Sequence, residues 1–66
     1  MTNYEIAKNE YCEYLEELVV KGTKTFNDVL KITTGFIKGM RISGFLTEDE
    51  LKKLRDELFD RIHEEF

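Results

Sequence analysis

The stretch Phe26-Asn27-Asp28-Val29-Leu30-Lys31-Ile32-Thr33-Thr34-Gly35-Phe36-Ile37-Lys38-Gly39-Met40-Arg41-Ile42-Ser43 decides the fold. With helical spacing, Phe26, Val29, Leu30, Thr33, Phe36, Ile37 and Met40 line up as one stripe. Ile32, Gly35, Gly39, Ile42 and Ser43 form a second stripe beside it. Together they span roughly 240° of the helix, well beyond the arc of an ordinary surface helix. Such a segment calls for neighbours on several sides, and in a 66-residue chain a second copy can be one of them. Glycine within a helix costs about 0.5–1 kcal/mol against alanine, so Gly35 and Gly39, one turn apart, suggest a steric need. Two readings fit: close packing against another helix of the same chain, or a partner helix laid across Gly35 and Gly39, with a second copy self-associating through Ile32, Gly35, Gly39 and Ile42 as the expected case.

Working outward, three start signals divide the chain. Thr2-x-x-Glu5, Thr25-x-x-Asp28 and Thr47-x-x-Glu50 each place a hydroxyl to accept from an amide three residues on. Each also places a carboxylate that can reach back to the threonine's own amide. Gly22 and Gly44 supply the stops, where a helix commonly ends in a left-handed residue. The expected helices run over about 3–21, 26–43 and 48–64. The links are short, so neighbouring helices should be antiparallel. The expected fold is all-α, a compact antiparallel three-helix bundle forming a single domain over 1–66.

The outer helices are simpler than the middle one. Tyr4, Ala7, Tyr11, Tyr14, Leu15, Leu18 and Val19 form one stripe, with Cys12 at its edge. Leu51, Leu54, Leu58, Phe59, Ile62 and Phe66 form another, and Arg55 falls within it. The three tyrosines read as core or interface rings whose hydroxyls reach water. Acid-first pairs four residues apart, such as Glu17–Lys21 and Glu57–Arg61, should each add only about 0.2–0.5 kcal/mol.

Composition excludes several classes. The single cysteine rules out an intrachain disulfide and any cysteine-based zinc site. No apolar run approaches the length of a membrane span. The opening Met1-Thr2-Asn3-Tyr4-Glu5 lacks a basic segment followed by an apolar one, so a cytoplasmic location is expected. His63 stands without the paired carboxylate–histidine motifs of a dimetal bundle. Cys12 lacks the helix N-terminus or cationic neighbour that reactive thiols use. Ser43–Leu51 has the outline of the second half of a calcium-binding EF-hand, but Arg41 stands where that loop needs a carboxylate oxygen. No catalytic set, cofactor site or metal site emerges, and a non-enzymatic protein is expected.

Charge is segregated. Residues 1–21 hold five acids against two bases, 22–46 one acid against four bases, and 47–66 eight acids against four bases; the whole chain carries −4. On the first helix Glu13 and Glu17 flank the projecting Ile6 and Val20, a face that could steer toward a basic protein and anchor on it. On the second, Lys31, Lys38 and Arg41 make a narrow basic strip, the candidate contact for nucleic acid in an alternative reading as a small DNA-binding regulator. The acidic third helix opposes that alternative.

The run Phe36-Ile37-Lys38-Gly39-Met40-Arg41-Ile42-Ser43-Gly44-Phe45-Leu46-Thr47-Glu48-Asp49-Glu50-Leu51 resembles short uncharacterised helical accessory proteins of Gram-positive phages and mobile elements, over about a quarter of the chain. The resemblance implies a small protein that works by binding a larger one. The expected function is therefore an acidic inhibitor or regulator of a larger basic partner, carried by a chain that forms a homodimer or higher oligomer.

Overall fold

The computed structural model describes residues 1–66 as three helices: α1 (Asn3–Lys21), α2 (Phe26–Ser43) and α3 (Glu48–Glu65). Each begins at its threonine. Thr2, Thr25 and Thr47 are extended, and their hydroxyls accept from the amides of Glu5, Asp28 and Glu50. Those carboxylates reach back in turn, and the short Asp28 closes its box as the glutamates do. Two orphan amides per helix are thereby satisfied. Gly22 and Gly44 end α1 and α2 with φ of +63° and +72°, a region that costs glycine nothing and strains other residues. Their amides donate to Leu18 and Arg41 carbonyls at 3.0 and 3.2 Å.

The core is narrow and centred on α3. Leu51, Leu54, Leu58 and Ile62 are buried along its whole length, against Ala7, Tyr11, Leu15 and Leu18 from α1 and Val29, Thr33 and Ile37 from α2. Leu46, in the second link, closes one end. The backbone of α3 approaches both other helices, whereas α1 and α2 nowhere come within 8 Å, Cα to Cα. An aromatic stack holds them apart. The Tyr11 ring lies against Phe36 with centroids 4.2 Å apart.

Tyr11 also fixes the two helices polar group to polar group. Its hydroxyl lies 2.8 Å from Thr33 Oγ1, in the buried interior. Thr33 donates its only hydroxyl hydrogen to the Val29 carbonyl at 2.7 Å, so Tyr11 is the donor and Thr33 the acceptor. A threonine with no exposed surface is thus satisfied on both sides. The expectation that all three tyrosine hydroxyls reach water is corrected here: Tyr11 is buried, Tyr4's hydroxyl is enclosed, and only Tyr14 is substantially exposed. Val19 also lies outside the core that its stripe suggested.

Three of the four surface ion pairs bridge helices, and the fourth, Arg55–Asp56, joins neighbours on α3. Lys8 lies 2.8 Å from Glu57, Arg61 3.0 Å from Glu16, and Arg41 3.0 Å from Glu48. Glu57 and Arg61, expected to pair with each other, both turn to α1.

Candidate interaction surfaces

The two stripes of α2 meet different fates. The first supplies Val29, Thr33 and Ile37 to the core. The second is left open. Gly35, Gly39 and Ile42 are exposed and Ile32 is only half-buried, with Ile42 at 87% of its full exposure. A Cβ added at Gly35 or Gly39 would meet nothing within 4 Å. Packing against α1 or α3 therefore does not explain either glycine. The second apolar arc has no cover within the chain.

Beside this stripe, the separation of α1 and α2 leaves a trough on the side away from α3. Ile6, Ala7, Phe36, Met40 and Phe45 line it, with Glu10 and Ser43 at its margins. Asn3 bridges one end by donating from Nδ2 to the Phe45 carbonyl at 3.1 Å. The trough was not legible in the sequence. Short links announce neighbouring helices, but the gap depends on how the Tyr11 and Phe36 rings stack.

The acidic face of α1 forms as its spacing suggests. Glu13, Glu16, Glu17 and Lys21 surround Val20, which is 87% exposed. Glu16 is committed to Arg61; Glu13 and Glu17 form no ion pair. Ile6 projects separately, one rim of the trough, so the four candidate contacts fall into two places on the same helix.

The basic residues divide as well. Lys38 and Arg41 come together with Thr34, Arg55 and Phe59 around a notch between α2 and α3, and Lys31 stands outside it. The sequence placed Arg55 in a core stripe. In the structure it is exposed and lies 3.2 Å from Asp56. Its approach to Lys38 and Arg41 depends on the α2–α3 pairing, which sequence spacing does not encode. Thr34 donates to the Leu30 carbonyl at 2.9 Å, so its hydroxyl hydrogen is not free for an anion.

Between α1 and α3, Tyr4, Lys8, Lys53 and Glu57 cluster. Lys53 Nζ sits 4.9 Å from the centroid of the Tyr4 ring. Burial pushes the Tyr4 phenol well above its ordinary range, and the Glu57 carboxylate adds to the shift. Lys8 holds Glu57 below the usual carboxylate range, and Glu57 raises Lys8 in return. Every shift reinforces the charge state that the group already has at neutral pH. The cluster therefore acts as a clamp between helices, since an acid or base working near neutrality needs the opposite tuning.

His63 rests its Nδ1 2.8 Å from the Phe59 carbonyl, and its ring meets that of Phe26 in a T-shaped contact with centroids 5.0 Å apart. Cys12 is half-buried and free. No three His, Cys, Asp or Glu side chains gather at metal-holding distance, and no helix is long and apolar enough to cross a membrane. No family model, curated protein or solved structure matches the chain.

Proposed function

We propose that this protein is a small non-enzymatic binding module, an acidic inhibitor or regulator of a larger basic protein of the kind that handles nucleic acid. The observation that carries this reading is the α1 face: Val20 exposed within a rim of Glu13, Glu16 and Glu17, with Ile6 exposed on the same helix. Carboxylates accelerate encounter with a basic surface, and isolated apolar residues then hold the complex. The resemblance to phage and mobile-element accessory proteins fits the same role. Immobilised protein should retain a basic protein from the lysate of its own host. A Glu13→Lys/Glu17→Lys variant should retain less, with the difference shrinking as salt rises. Equal retention at low salt would reject the α1 face as the contact.

The notch formed by Lys38, Arg41 and Arg55 favours a second reading, a small DNA-binding regulator. Arg41 and Arg55 each have a carboxylate partner at 3.0 and 3.2 Å, which leaves Lys38 as the free cation of the notch. Binding of the wild type to duplex DNA, abolished by neutralising Lys31, Lys38 and Arg41, would put this reading first.

A further inference from the structure

The trough between α1 and α2 has Ile6 and Ala7 on one wall, Phe36 and Met40 on the other, and Phe45 at one end. Its volume is about 220 Å³. That is below the roughly 300–1,000 Å³ of a small-molecule site and above the roughly 150 Å³ that one benzene-sized group fills. It has room for a few apolar side chains carried by a larger partner. We propose that the trough seats a basic amphipathic helix of a protein partner, with its apolar face between α1 and α2 and its basic flank along α1. This rests on the reading of the chain as a regulator of a basic protein, and adds where that protein is anchored and by what kind of element.

The walls select a helix. From Phe36 to Ser43 the α2 side runs two helical turns, about 10 Å, the distance covered by side chains at i, i+4 and i+7 of a helix laid alongside. The walls also leave no hydrogen-bond donor for an incoming backbone. The amides of α1 and α2 along the trough are bonded within their own helices. Ser43 donates its hydroxyl to the Met40 carbonyl at 3.0 Å, and the Phe45 amide donates to Ser43 Oγ at 3.3 Å. An extended segment would leave its carbonyls unpaired against apolar walls, whereas a helix satisfies its own.

Charge sets the sign of the partner. Ile6, Glu10, Glu13 and Glu17 follow one another three or four residues apart, which makes them one row along α1. The row starts in the trough, where Glu10 stands at the margin, and ends beside Val20. None of its three carboxylates joins an ion pair within the chain, whose pairs are Lys8–Glu57, Arg41–Glu48, Arg55–Asp56 and Arg61–Glu16. Across the trough the α2 wall, Phe36, Met40 and Ser43, carries no charge. Lys38 and Arg41 line the notch between α2 and α3 instead. The charged margin of the trough is therefore acidic and one-sided. It attracts a helix with lysines or arginines along one flank of its apolar stripe, and it repels nucleic acid, anionic lipid and acidic peptides.

Titrating the isotope-labelled full chain with three synthetic peptides, followed by proton–nitrogen NMR, tests this. The first peptide carries leucines at i, i+4 and i+7 with lysines along one flank. The second has the same composition with the leucines scattered around the helix. The third has glutamates in place of the lysines. The first should bind about tenfold more tightly than either of the others and shift the signals of Ala7, Phe36, Met40 and Phe45. Met40→Ser and Phe45→Ser change side chains that are half-buried and exposed. Each should weaken the first peptide by about tenfold with circular dichroism unchanged. No binding of the first peptide, equal binding of the scattered or acidic one, or indifference to both variants would overturn the trough. Shifts confined to Glu13, Glu17 and Val20 would also overturn it, while leaving the acidic face of α1 as the contact. A first peptide that stays in the trough, weakened by Glu10→Lys and indifferent to Glu13→Lys/Glu17→Lys, would uphold the trough and reject the Glu13–Glu17 face.

Discussion

One helix, α2, shows two apolar faces with opposite relations to the rest of the molecule. Val29 and Thr33, with no exposed surface, and Ile37 are sealed against α1 and α3. Ile42, a short distance around the same helix, is almost as exposed as in an unfolded chain. The two faces draw on similar residues, so hydrophobicity does not separate them. Geometry does. The core of a chain this small has room for one face of each helix, and α3 fills that room. The part of the second α2 stripe beyond the reach of α3, at Gly35, Gly39 and Ile42, is left open by the folded chain.

The largest contrast should appear on truncation. Leu54→Ala removes a side chain with no exposed surface and should cost about 2–5 kcal/mol in denaturant unfolding. Ile42→Ala, measured in dilute solution, should stay within about 0.5 kcal/mol of the wild type. Similar costs at the two sites would mean that the open stripe is covered in the folded monomer after all.

Tyr11→Phe tests the sealed face at finer resolution. It keeps the ring stacked on Phe36 but removes the donor to Thr33. The expected loss is about 0.5–1.5 kcal/mol, because Thr33 Oγ1 keeps its bond to Val29 and loses only the one it accepts. An unchanged stability would mean that the Tyr11–Thr33 bond does not hold α1 to α2.

On the open face the sign reverses. Gly35→Ala should stabilise the dilute monomer by about 0.5–1 kcal/mol, since its Cβ meets nothing within 4 Å and alanine restricts the unfolded chain more than glycine does. A destabilised monomer would put another part of the chain against Gly35.

The clamp between α1 and α3 sets the pH limits. Lys8 beside Glu57, and the amide and hydroxyl of Thr25 around Asp28, hold these carboxyls below their ordinary values. Their contribution is complete at neutral pH and fades as pH falls below about 4.5, the usual glutamate value. Tyr4 and Tyr11, raised chiefly by burial, and Lys8, raised by Glu57, act at the other end. Their contribution is complete below about pH 10, the ordinary tyrosine value, and is lost as pH rises further. Thermal unfolding should therefore show a plateau between these limits. Glu57→Gln should flatten the acid side, and an unaltered acid side would remove Glu57 from this account.

The sequence disclosed what is local. Each threonine and its acid three residues on, and each glycine stop, act within one turn, so α1 and α2 run as their signals indicate and α3 extends one residue further, to Glu65. The partners of Glu57 and Arg61 were hidden because a residue on another helix competes with the next turn. The trough was hidden because a ring stack sets the distance between α1 and α2. The second stripe of α2 was visible as apolar, and its two glycines as unusual. Whether the chain covers that stripe itself depended on where α3 lies. The meeting of Arg55 with Lys38 and Arg41 depended on the same placement.

The folded chain seals one stripe of α2 and leaves the other, at Gly35, Gly39 and Ile42, open to solvent. Proton–nitrogen NMR spectra of the dilute chain with a soluble paramagnetic probe added test this contrast, because glycine amides are readily distinguished and Gly35 and Gly39 mark the open face. Signals of Gly35, Gly39 and Ile42 should broaden strongly, while those of Val29, Thr33 and Ile37 stay sharp. Equal broadening of the two sets, or protection of Gly35 and Gly39, would contradict it.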